Sequence, residues 1–317
     1  MDRLHRPCPV CGGRDRFYLV RQPRNGGPPF WKCRRCGYRE YTGLPVLPRP
    51  ASARLSEQDR RTLQRIMVAA SEQLTSEQLA MATEAQQYLR RRGVDDATQR
   101  HLIAHRVLGF VPCAWIDAWK RTEYDARILL GDSESEAQHA ARSVLRLGFG
   151  RATNVPSIVF GYWKKNQVCA IRGRRIPPYD RTVRYWSQSI STALPLFAPA
   201  PDVWSCATVG LTEGELKAIV AYVAWKRSVI PFPFLAIPGA TVRNPEWLES
   251  LRGRHVVLAF DADANGAGQR AQRELGDLLV SFGIKTSHIH LPLGAGQKKN
   301  DLDAFLLPHL HSKGSEI

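Results

Sequence analysis

Acidic side chains follow two apolar runs in the second half of the sequence. Residues 207–212 lead into Glu213, and residues 256–260 lead into Asp261 and Asp263. Carboxylates gathered at neighbouring strand ends repel one another unless a divalent cation neutralises them. Mg²⁺ prefers such oxygen ligands and keeps part of its water shell for substrate phosphates. We therefore predict that these three acids are catalytic and hold a metal ion.

A simpler interpretation exists for each acid taken alone. Asp261 and Asp263 are also typical of helix N-caps, and Glu213 is typical of a solvated acid in a first helical turn. A Glu-Gly pair at one strand end combined with Asp-x-Asp at another favours the metal site over these local roles.

The elements that position these acids alternate between short apolar strands and helices. Strands alternating with helices imply a parallel sheet with right-handed crossovers. Ligands of such sheets lie beyond the carboxyl ends of the strands, where these acids are found. The pattern predicts strands over residues 207–213, 234–237, 256–261 and 287–291, and helices over residues 215–225, 245–251 and 267–282.

A third acidic pair, Asp301 and Asp303, follows the last predicted strand. Locally, this pair is also typical of a turn and a helix cap. Together with the three earlier acids it makes five carboxylates. Such a set has enough oxygens for about two or three hydrated Mg²⁺ or Mn²⁺ ions.

Two Cys-x-x-Cys pairs lie near the start of the sequence, separated by predicted strands over residues 16–20 and 30–32. A redox pair needs a βαβ setting, which is absent here, and stray core thiols do not explain two spaced pairs. Four thiolates leave no open coordination position, so we predict one structural Zn²⁺. Its ligands are Cys8, Cys11, Cys33 and Cys36.

The charge balance predicts a polyanionic partner. The chain has 45 Lys and Arg against 29 Asp and Glu, a net charge of +16. Nucleic acid is the first candidate and an anionic membrane the second. Residues 1–49 hold 11 Lys and Arg against 3 acids, interleaved with aromatic rings that either stack on bases or form a small core. Candidate contacts to single-stranded DNA are Trp31, Arg34 and Arg35.

The middle of the chain begins with a tether and continues as helices. Residues 42–52 include three prolines and show no periodicity, which indicates a semi-rigid linker. Arg90, Arg91 and Arg92 are expected at a solvated helix end rather than in a dedicated site. Helices are predicted over residues 56–74, 76–92, 95–106, 115–120 and 134–147.

A basic run follows two predicted strands, residues 157–160 and 167–172, that are paired around a turn at 163–166. Basic residues often form only a solvated face. Here they alternate with aromatic residues just upstream of the acidic centre, which favours binding of template or nucleotide phosphates. The candidates are Arg172, Arg174, Arg175, Arg184 and Tyr185.

The cysteine count and the absence of apolar segments predict a compartment. Seven cysteines, an odd number, argue against a disulfide framework and for a reducing cytoplasm. No apolar run approaches the roughly 20 residues that span a bilayer, and the first residues lack the apolar stretch of a secretory signal. We expect a cytoplasmic protein without a membrane partner.

The acidic motifs resemble a known family. Glu213-Gly214, Asp261-x-Asp263 and Asp301-x-Asp303 are similar to the three acidic signatures of the Toprim domain, which topoisomerases, DnaG-type primases and some nucleases share. The cysteine-rich start resembles the template-reading module of primases. Residues 88–93 and 108–112 resemble the start of the primase catalytic core. Further similarity to its basic subdomain lies in residues 157–160, 170–174 and 184–187.

The resemblance to DnaG-type primases implies a multi-domain α+β chain of the α/β class. Its parts are a small β zinc ribbon, a mixed α/β basic subdomain and a Toprim domain with a Rossmann-like parallel sheet. The implied boundaries are residues 1–42 for the zinc ribbon, 43–56 for the Pro-rich linker, 57–204 for the helical and basic part of the core, 205–307 for the Toprim domain and 308–317 for a tail.

The same resemblance implies template-directed synthesis of short RNA primers on single-stranded DNA from nucleoside triphosphates, with two or three Mg²⁺ or Mn²⁺ ions. There are departures. Lys217 stands where relatives commonly have an acid, and no Gly-x4-Gly-Lys-Ser/Thr motor motif is present. The chain ends at Ile317, so we expect a replicative helicase on a separate chain. A compact primase of a phage, plasmid or integrated element fits this pattern.

Two rival functions stay open from the sequence. A Toprim nuclease uses similar acids to cleave nucleic acid, and a recombination mediator resembling the RecR family couples a zinc module to the same fold without catalysis. In the latter the zinc module adjoins the Toprim domain, whereas roughly 170 residues separate them here. A topoisomerase fits less well, because little chain remains for a separate domain with a nucleophilic tyrosine.

Overall fold

The computed structural model describes residues 5–6, 17–20, 30–33, 39–41, 57–75, 80–111, 156–164, 166–176, 185–188, 194–239, 245–294 and 296–312. The chain divides into two units, Met1–Arg54 and Leu55–Ile317. None of the helices in these ranges is long and apolar enough to cross a membrane.

The first unit contains a four-stranded antiparallel sheet in the order β1-β2-β3-β4. Its second and third strands lie close to the predicted ones, and they place Phe17 opposite Cys33. Cys33 is fully buried at the end of the third strand. The other predicted zinc ligands, Cys8, Cys11 and Cys36, lie outside the described residues, as do Arg34 and Arg35. The strands are β1 (His5–Arg6), β2 (Phe17–Val20), β3 (Phe30–Cys33) and β4 (Arg39–Tyr41).

Three helices open the second unit: α1 (Glu57–Thr75), α2 (Ala80–Arg91) and α3 (Asp96–Ala104). Asp95 caps α3, since its carboxylate accepts a hydrogen bond from Thr98 N at 2.7 Å. Gly93 lies just beyond the end of α2 with φ of +81°, a conformation that glycine adopts without strain. The helices predicted over residues 115–120 and 134–147 lie outside the described part of the chain.

An antiparallel sheet in the order β5-β6-β7-β8 packs against α1. A Cβ on Gly109 would lie 2.7 Å from the carbonyl carbon of Ala70, so only glycine permits this close approach. The hairpin of β6 and β7 is longer than predicted, because β6 extends into the expected turn and β7 continues beyond residue 172. The strands are β5 (Leu108–Val111), β6 (Ser157–Lys164), β7 (Gln167–Arg175) and β8 (Tyr185–Gln188).

A short 3₁₀ helix, Pro201–Ser205, precedes the predicted parallel sheet, which is confirmed in the order β10-β9-β11-β13. All three pairings are parallel. The last strand begins before the predicted residue 287, because it follows the register set by β11, in which His255 pairs with Lys285. The strands are β9 (Thr208–Glu213), β10 (Phe234–Ile237), β11 (His255–Leu258) and β13 (Lys285–His288).

Three helices connect these strands, and a small antiparallel ladder lies beside them. The helices are α4 (Glu215–Lys226), α5 (Pro245–Leu251) and α6 (Ala267–Ser281). The ladder pairs β12 (Ala262–Asp263) with β14 (Lys299–Asn300), which places Asp263 opposite Lys299. A final helix, α7 (Leu302–Ser312), follows directly.

Helix α4 is the centre of the core. Its residues 218–224 are all buried, because the helix is covered on several sides. One apolar cluster joins α4 to the antiparallel sheet through Tyr162 and to α7 through Leu306 and Leu310. A second cluster packs the parallel sheet against α5 and α6. The two sheets are thereby held rigidly about the first turn of α4, where the acidic centre begins.

Candidate active site

Strand β9 delivers Glu213 to the carboxyl edge of the parallel sheet. Gly214 follows with φ of +83° and turns the chain directly into α4. A side chain with a Cβ is strained at that φ, which explains the Glu-Gly pair in the sequence. Strand β11 is the parallel neighbour of β9 and ends three residues before Asp261. The structure thus brings these two predicted acids together.

Glu213 lies in an electrostatic environment that favours a bound cation. Burial raises the pKa of its carboxyl group, and the nearby charges of Asp261 and Asp263 raise that pKa further. Lys217 and Lys299 oppose this rise. Its Oε1 atom is buried and has no hydrogen-bond partner. A buried oxygen of this kind is either protonated or paired with a positive charge.

Asp261 is already neutralised by basic side chains. It is only 3% exposed, and its Oδ1 contacts the ammonium group of Lys217. Its Oδ2 lies 2.5 Å from Lys299 Nζ. Asp261 therefore belongs to the acidic centre, but two lysines occupy both of its oxygens.

Asp263 lies on the short strand β12, four residues before α6 begins. Its Oδ2 accepts a hydrogen bond from Gly268 N at 3.2 Å, so it satisfies an amide of the first turn. The N-cap residue itself is Gly266, which corrects the N-cap role considered from the sequence. A Cβ on Gly268 would lie 2.1 Å from the carbonyl oxygen of Asp261. Glycine at position 268 therefore lets α6 approach the chain segment that carries both aspartates.

The third acidic pair lies at the start of α7. Asp301 accepts a hydrogen bond from Ala304 N at 3.2 Å. Burial would raise the pKa of Asp301, but its hydrogen bond with Asp303 and the charge of Lys217 lower it below the usual value. Burial raises the pKa of Asp303 to about 6, helped by the hydrogen bond to Asp301. The pair therefore shares a proton more readily than two isolated carboxylates.

Arg92 contacts Asp303, which corrects the expectation that residues 90–92 form only a solvated helix end. The Arg92 side chain is 31% exposed, whereas that of Asp303 is 3% exposed. The contact spans 211 positions along the chain, so the local sequence contains no signal for it. Arg90, by contrast, is about half exposed and pairs with Asp96.

Two of the predicted acids, Glu213 and Asp301, border a pocket of about 220 Å³ that is rich in basic side chains. Five basic residues and four small or apolar residues complete its lining. The lining consists of Arg92, Arg172, Arg174, Lys217, Lys299, Glu213, Asp301, Gly214, Leu216, Pro238 and Gly239.

Strand β7 supplies two of the predicted basic residues to this pocket. Arg172 and Arg174 are two positions apart and so project from the same face of the strand. Arg175, on the other face, is not among the described residues that line the pocket. Arg174 lies 5.7 Å from the ring centre of Tyr88. Arg184 and the side chain of Tyr185 lie outside the described part of the structure, and Trp31 lies half-buried on β3 of the first unit.

Arg172 is held by a buried carboxylate that the sequence interpretation missed. Arg172 Nη1 donates to Glu215 Oε1 at 2.8 Å, and the hydroxyl of Tyr162 donates to the same oxygen. Glu215 and Tyr162 are both fully buried. Burial and the charge of Glu215 raise the pKa of Tyr162 well above its usual value, so it stays a donor. Glu215, itself held by Tyr162, therefore fixes the guanidinium group of Arg172, which lines the pocket.

The oxygen donors suit a hard divalent cation. Within the three acidic motifs, Glu213 Oε1 and Asp303 Oδ1 are buried without a hydrogen-bond partner, which is consistent with such an ion. In the described ranges, however, no group of three or more His, Cys, Asp or Glu side chains is arranged to hold a metal ion. Asp261 and Asp303 are instead paired with lysine and arginine side chains. A divalent cation would therefore fit best beside Glu213 and Asp263.

The first unit of the chain matches a known protein family. Residues 3–44 match the family model described as the zinc-binding domain of primase-helicase, which supports the predicted Zn²⁺. A comparison with curated protein sequences found no match.

Solved structures resemble nearly the whole chain. The zinc-binding and RNA polymerase domains of the Aquifex aeolicus primase superpose with a TM-score of 0.58 at 18% identity, covering 96% of this chain and 78% of that one. The RNA polymerase domain of Mycobacterium tuberculosis primase DnaG gives a TM-score of 0.52 at 17% identity, covering 81% of this chain and 83% of that one.

A third structure is the same Mycobacterium tuberculosis domain in complex with a double-stranded DNA oligomer that has a 6-nucleotide overhang. It gives a TM-score of 0.51 at 14% identity, covering 82% of this chain and 80% of that one. The chain therefore has the fold of the zinc-binding and RNA polymerase domains of DnaG-type bacterial primases, as its motifs predicted.

Proposed function

We propose that this chain is a primase that synthesises short RNA primers on single-stranded DNA from nucleoside triphosphates. The observation that carries the proposal is the pocket that Arg172, Arg174 and Lys299 line together with Glu213 at the carboxyl edge of the parallel sheet. Basic side chains and a carboxylate in one pocket suit a ligand that combines phosphates with a reacting hydroxyl group.

The pocket's size suits the phosphates rather than a whole nucleotide. Its volume of about 220 Å³ is below the roughly 300–1,000 Å³ of sites that enclose a complete small ligand. Arg172 and Arg174 would bind the triphosphate through charge-assisted hydrogen bonds. Glu215 and Tyr162 hold Arg172 in place, so little side-chain freedom is lost when the phosphates bind.

The acids would form the metal centre of a Toprim domain. In this proposal Glu213, Asp261, Asp263, Asp301 and Asp303 would hold one or more Mg²⁺ or Mn²⁺ ions. When bound, such an ion would lower the pKa of the primer 3′-hydroxyl and neutralise charge on the transferred phosphate. Asp263 is oriented for this role by the Gly268 amide, and Glu213 by the rigid strand end.

The template would bind through basic and aromatic side chains outside the pocket. The first unit would hold a structural Zn²⁺ and contact single-stranded DNA through Trp31, Arg34 and Arg35. Arg175, Arg184 and Tyr185 would contact template or nucleotide in the second unit. A replicative helicase on a separate chain is the proposed protein partner.

A gel assay tests the function against its two rivals. The full chain is incubated with circular single-stranded DNA, four labelled ribonucleotides and Mg²⁺ or Mn²⁺, and a parallel reaction contains labelled DNA without nucleotides. We expect short RNA products that require both nucleotides and template. Cleavage of the DNA without nucleotides would replace the proposal with a nuclease, and DNA binding without either reaction would favour a recombination mediator.

A further inference from the structure

We propose that Lys217 is a built-in cation of the acidic centre that takes the place of a divalent ion at Asp261, so that the nucleotide-free chain binds a single metal ion. This inference rests on the proposed function and refines the two or three ions expected from the sequence. Lys217 is the third residue of α4.

Lys217 lies close to all three acidic motifs. Its ammonium group contacts Asp261 Oδ1, and its side chain is only 12% exposed. The charge of Lys217 also acts on Glu213, on Asp301 and on Asp303. One buried cation therefore offsets negative charge from each of the three motifs.

The ion pairs indicate which carboxylates remain for a metal ion. Both oxygens of Asp261 and one oxygen of Asp303 are paired with Lys217, Lys299 and Arg92. Glu213 and Asp263 are then the carboxylates best placed for one divalent cation. Glu213 Oε1, which is buried without a hydrogen-bond partner, marks the place for it.

Lys217 and Lys299 differ in how firmly they are held. The Lys299 side chain is 50% exposed and lies on the short strand β14, so a bound phosphate can draw it away from Asp261. Lys217 extends from the first turn of the buried helix α4 and has little freedom to leave. We therefore propose that Lys217 stays beside Asp261 at all times, whereas Lys299 leaves Asp261 when a phosphate binds.

This assignment changes the role of Asp261. With both oxygens bound to ammonium groups, Asp261 acts as a positioning residue for Lys217 rather than as a metal ligand. Its replacement would then disturb the site by releasing Lys217, and it would not remove a ligand from the single ion beside Glu213 and Asp263.

The test counts Mn²⁺ ions bound to the full chain without nucleotide, by electron paramagnetic resonance of free Mn²⁺ during titration. Wild type is compared with Lys217→Gln, which keeps a long polar side chain without the charge, and with Lys217→Arg, which keeps the charge. Lys226→Gln is the matched control, because Lys226 lies on the same helix but pairs with Asp202. Circular dichroism establishes that each variant is folded.

We expect one bound ion in wild type, Lys217→Arg and Lys226→Gln, and a second ion in Lys217→Gln. The first ion in Lys217→Gln should also bind about tenfold or more tightly, because a nearby like charge has been removed. Adding Asp261→Asn to Lys217→Gln should abolish the second ion, whereas Asp261→Asn alone should leave the single ion in place.

The role of Lys217 would be overturned if wild type bound two or three ions. It would also be overturned if wild type and Lys217→Gln bound the same number. Neither result would bear on primer synthesis, which the gel assay tests separately. No Mn²⁺ bound to any folded variant would instead remove the metal centre and the proposed function together.

Discussion

Arg172 and Glu215 form an ion pair of 2.8 Å that links strand β7 of the antiparallel sheet to the first turn of α4. Glu215 is fully buried and Arg172 is 11% exposed, so the pair is sheltered from water. A buried carboxylate keeps its charge only beside a partner, which fixes where the guanidinium group points. The proposed triphosphate contact is therefore built on a relationship between two elements that are far apart in sequence.

Glu215→Gln should weaken nucleotide binding without changing the chemistry of the acids. The substitution leaves Arg172 without its charged partner. We expect the KM for ribonucleotides to rise about tenfold, because this is the size of effect expected from losing one hydrogen bond to a charged group. The value of kcat should change much less. Glu249→Gln is the control, since Glu249 pairs with Arg252 on an exposed surface. An unchanged KM in Glu215→Gln would contradict the positioning role.

Gly268→Ala should reduce primer synthesis by about a hundredfold, because a displacement of roughly 1 Å at catalytic groups has costs of this size. The new Cβ would lie 2.1 Å from the carbonyl oxygen of Asp261, so the segment that carries Asp261 and Asp263 must shift. The assay is incorporation of labelled ribonucleotides.

Gly276→Ala on the same helix is the matched control for this effect. There the new Cβ would meet the side chains of His288 and Leu258 and no backbone atom among its nearest neighbours, so the strain can be relieved by side-chain movement. We expect near-normal primer synthesis from Gly276→Ala. Equal activity in the two variants would show that the approach of α6 to Asp261 is unimportant.

Asp95 should contribute stability that depends on pH. Burial would raise the pKa of Asp95, but hydrogen bonds from Thr98 and from Arg227 lower it below 3.8. Because the folded-state pKa is the lower one, the contribution is complete above the unfolded value and is lost as the pH falls through the folded value. Urea unfolding at about pH 7 and about pH 3 measures this loss.

Asp95→Asn should retain the helix cap, lose up to about 1 kcal/mol at neutral pH and show a smaller loss of stability in acid. Asp96→Asn serves for comparison, since Asp96 pairs with Arg90 through side chains that are about half exposed. Its unfolding free energy should stay within about 0.5 kcal/mol of wild type at neutral pH. An acid response of Asp95→Asn identical to that of wild type would exclude Asp95 as the cause.

Cys33→Ser should remove the zinc of the first unit. Cys33 is buried at the end of β3, and residues 3–44 match a zinc-binding family model. We expect one zinc per chain in wild type by atomic absorption and none in Cys33→Ser, with weaker binding of single-stranded DNA. Cys206→Ser is the control, because Cys206 lies in the second unit, after the 3₁₀ helix. Retention of zinc by Cys33→Ser would remove Cys33 from the ligand set.

Much of the parallel sheet could be predicted because its signals are local. Strand β10 and helix α5 begin and end at the predicted residues, since apolar runs and turn residues bound them. Glu213 could be placed at the end of β9 for the same reason, whereas β11 ends at Leu258, three residues before Asp261 and earlier than predicted. Strand β13 was predicted too late, because its limits depend on pairing with β11 rather than on its own apolar residues.

The basic residues of the site could be predicted only in part. Arg172 and Arg174 are two positions apart on a predicted strand, and this alternating spacing is visible in the sequence. Lys217 was visible as a departure from the family pattern, but its contact with Asp261 depends on the relative placement of β9 and β11. The partnerships of Glu215 with Tyr162 and of Arg92 with Asp303 join distant segments, and single-sequence patterns do not reveal such pairs.

Primer synthesis by Asp263→Ala on circular single-stranded DNA tests the central claim most directly. Wild type and Asp277→Ala, a change on the exposed face of α6, should both produce short RNA from four labelled ribonucleotides and Mg²⁺ or Mn²⁺. Asp263→Ala should produce none while binding single-stranded DNA as tightly as wild type. Full-length primers from Asp263→Ala would contradict the account, and so would the absence of primers from wild type.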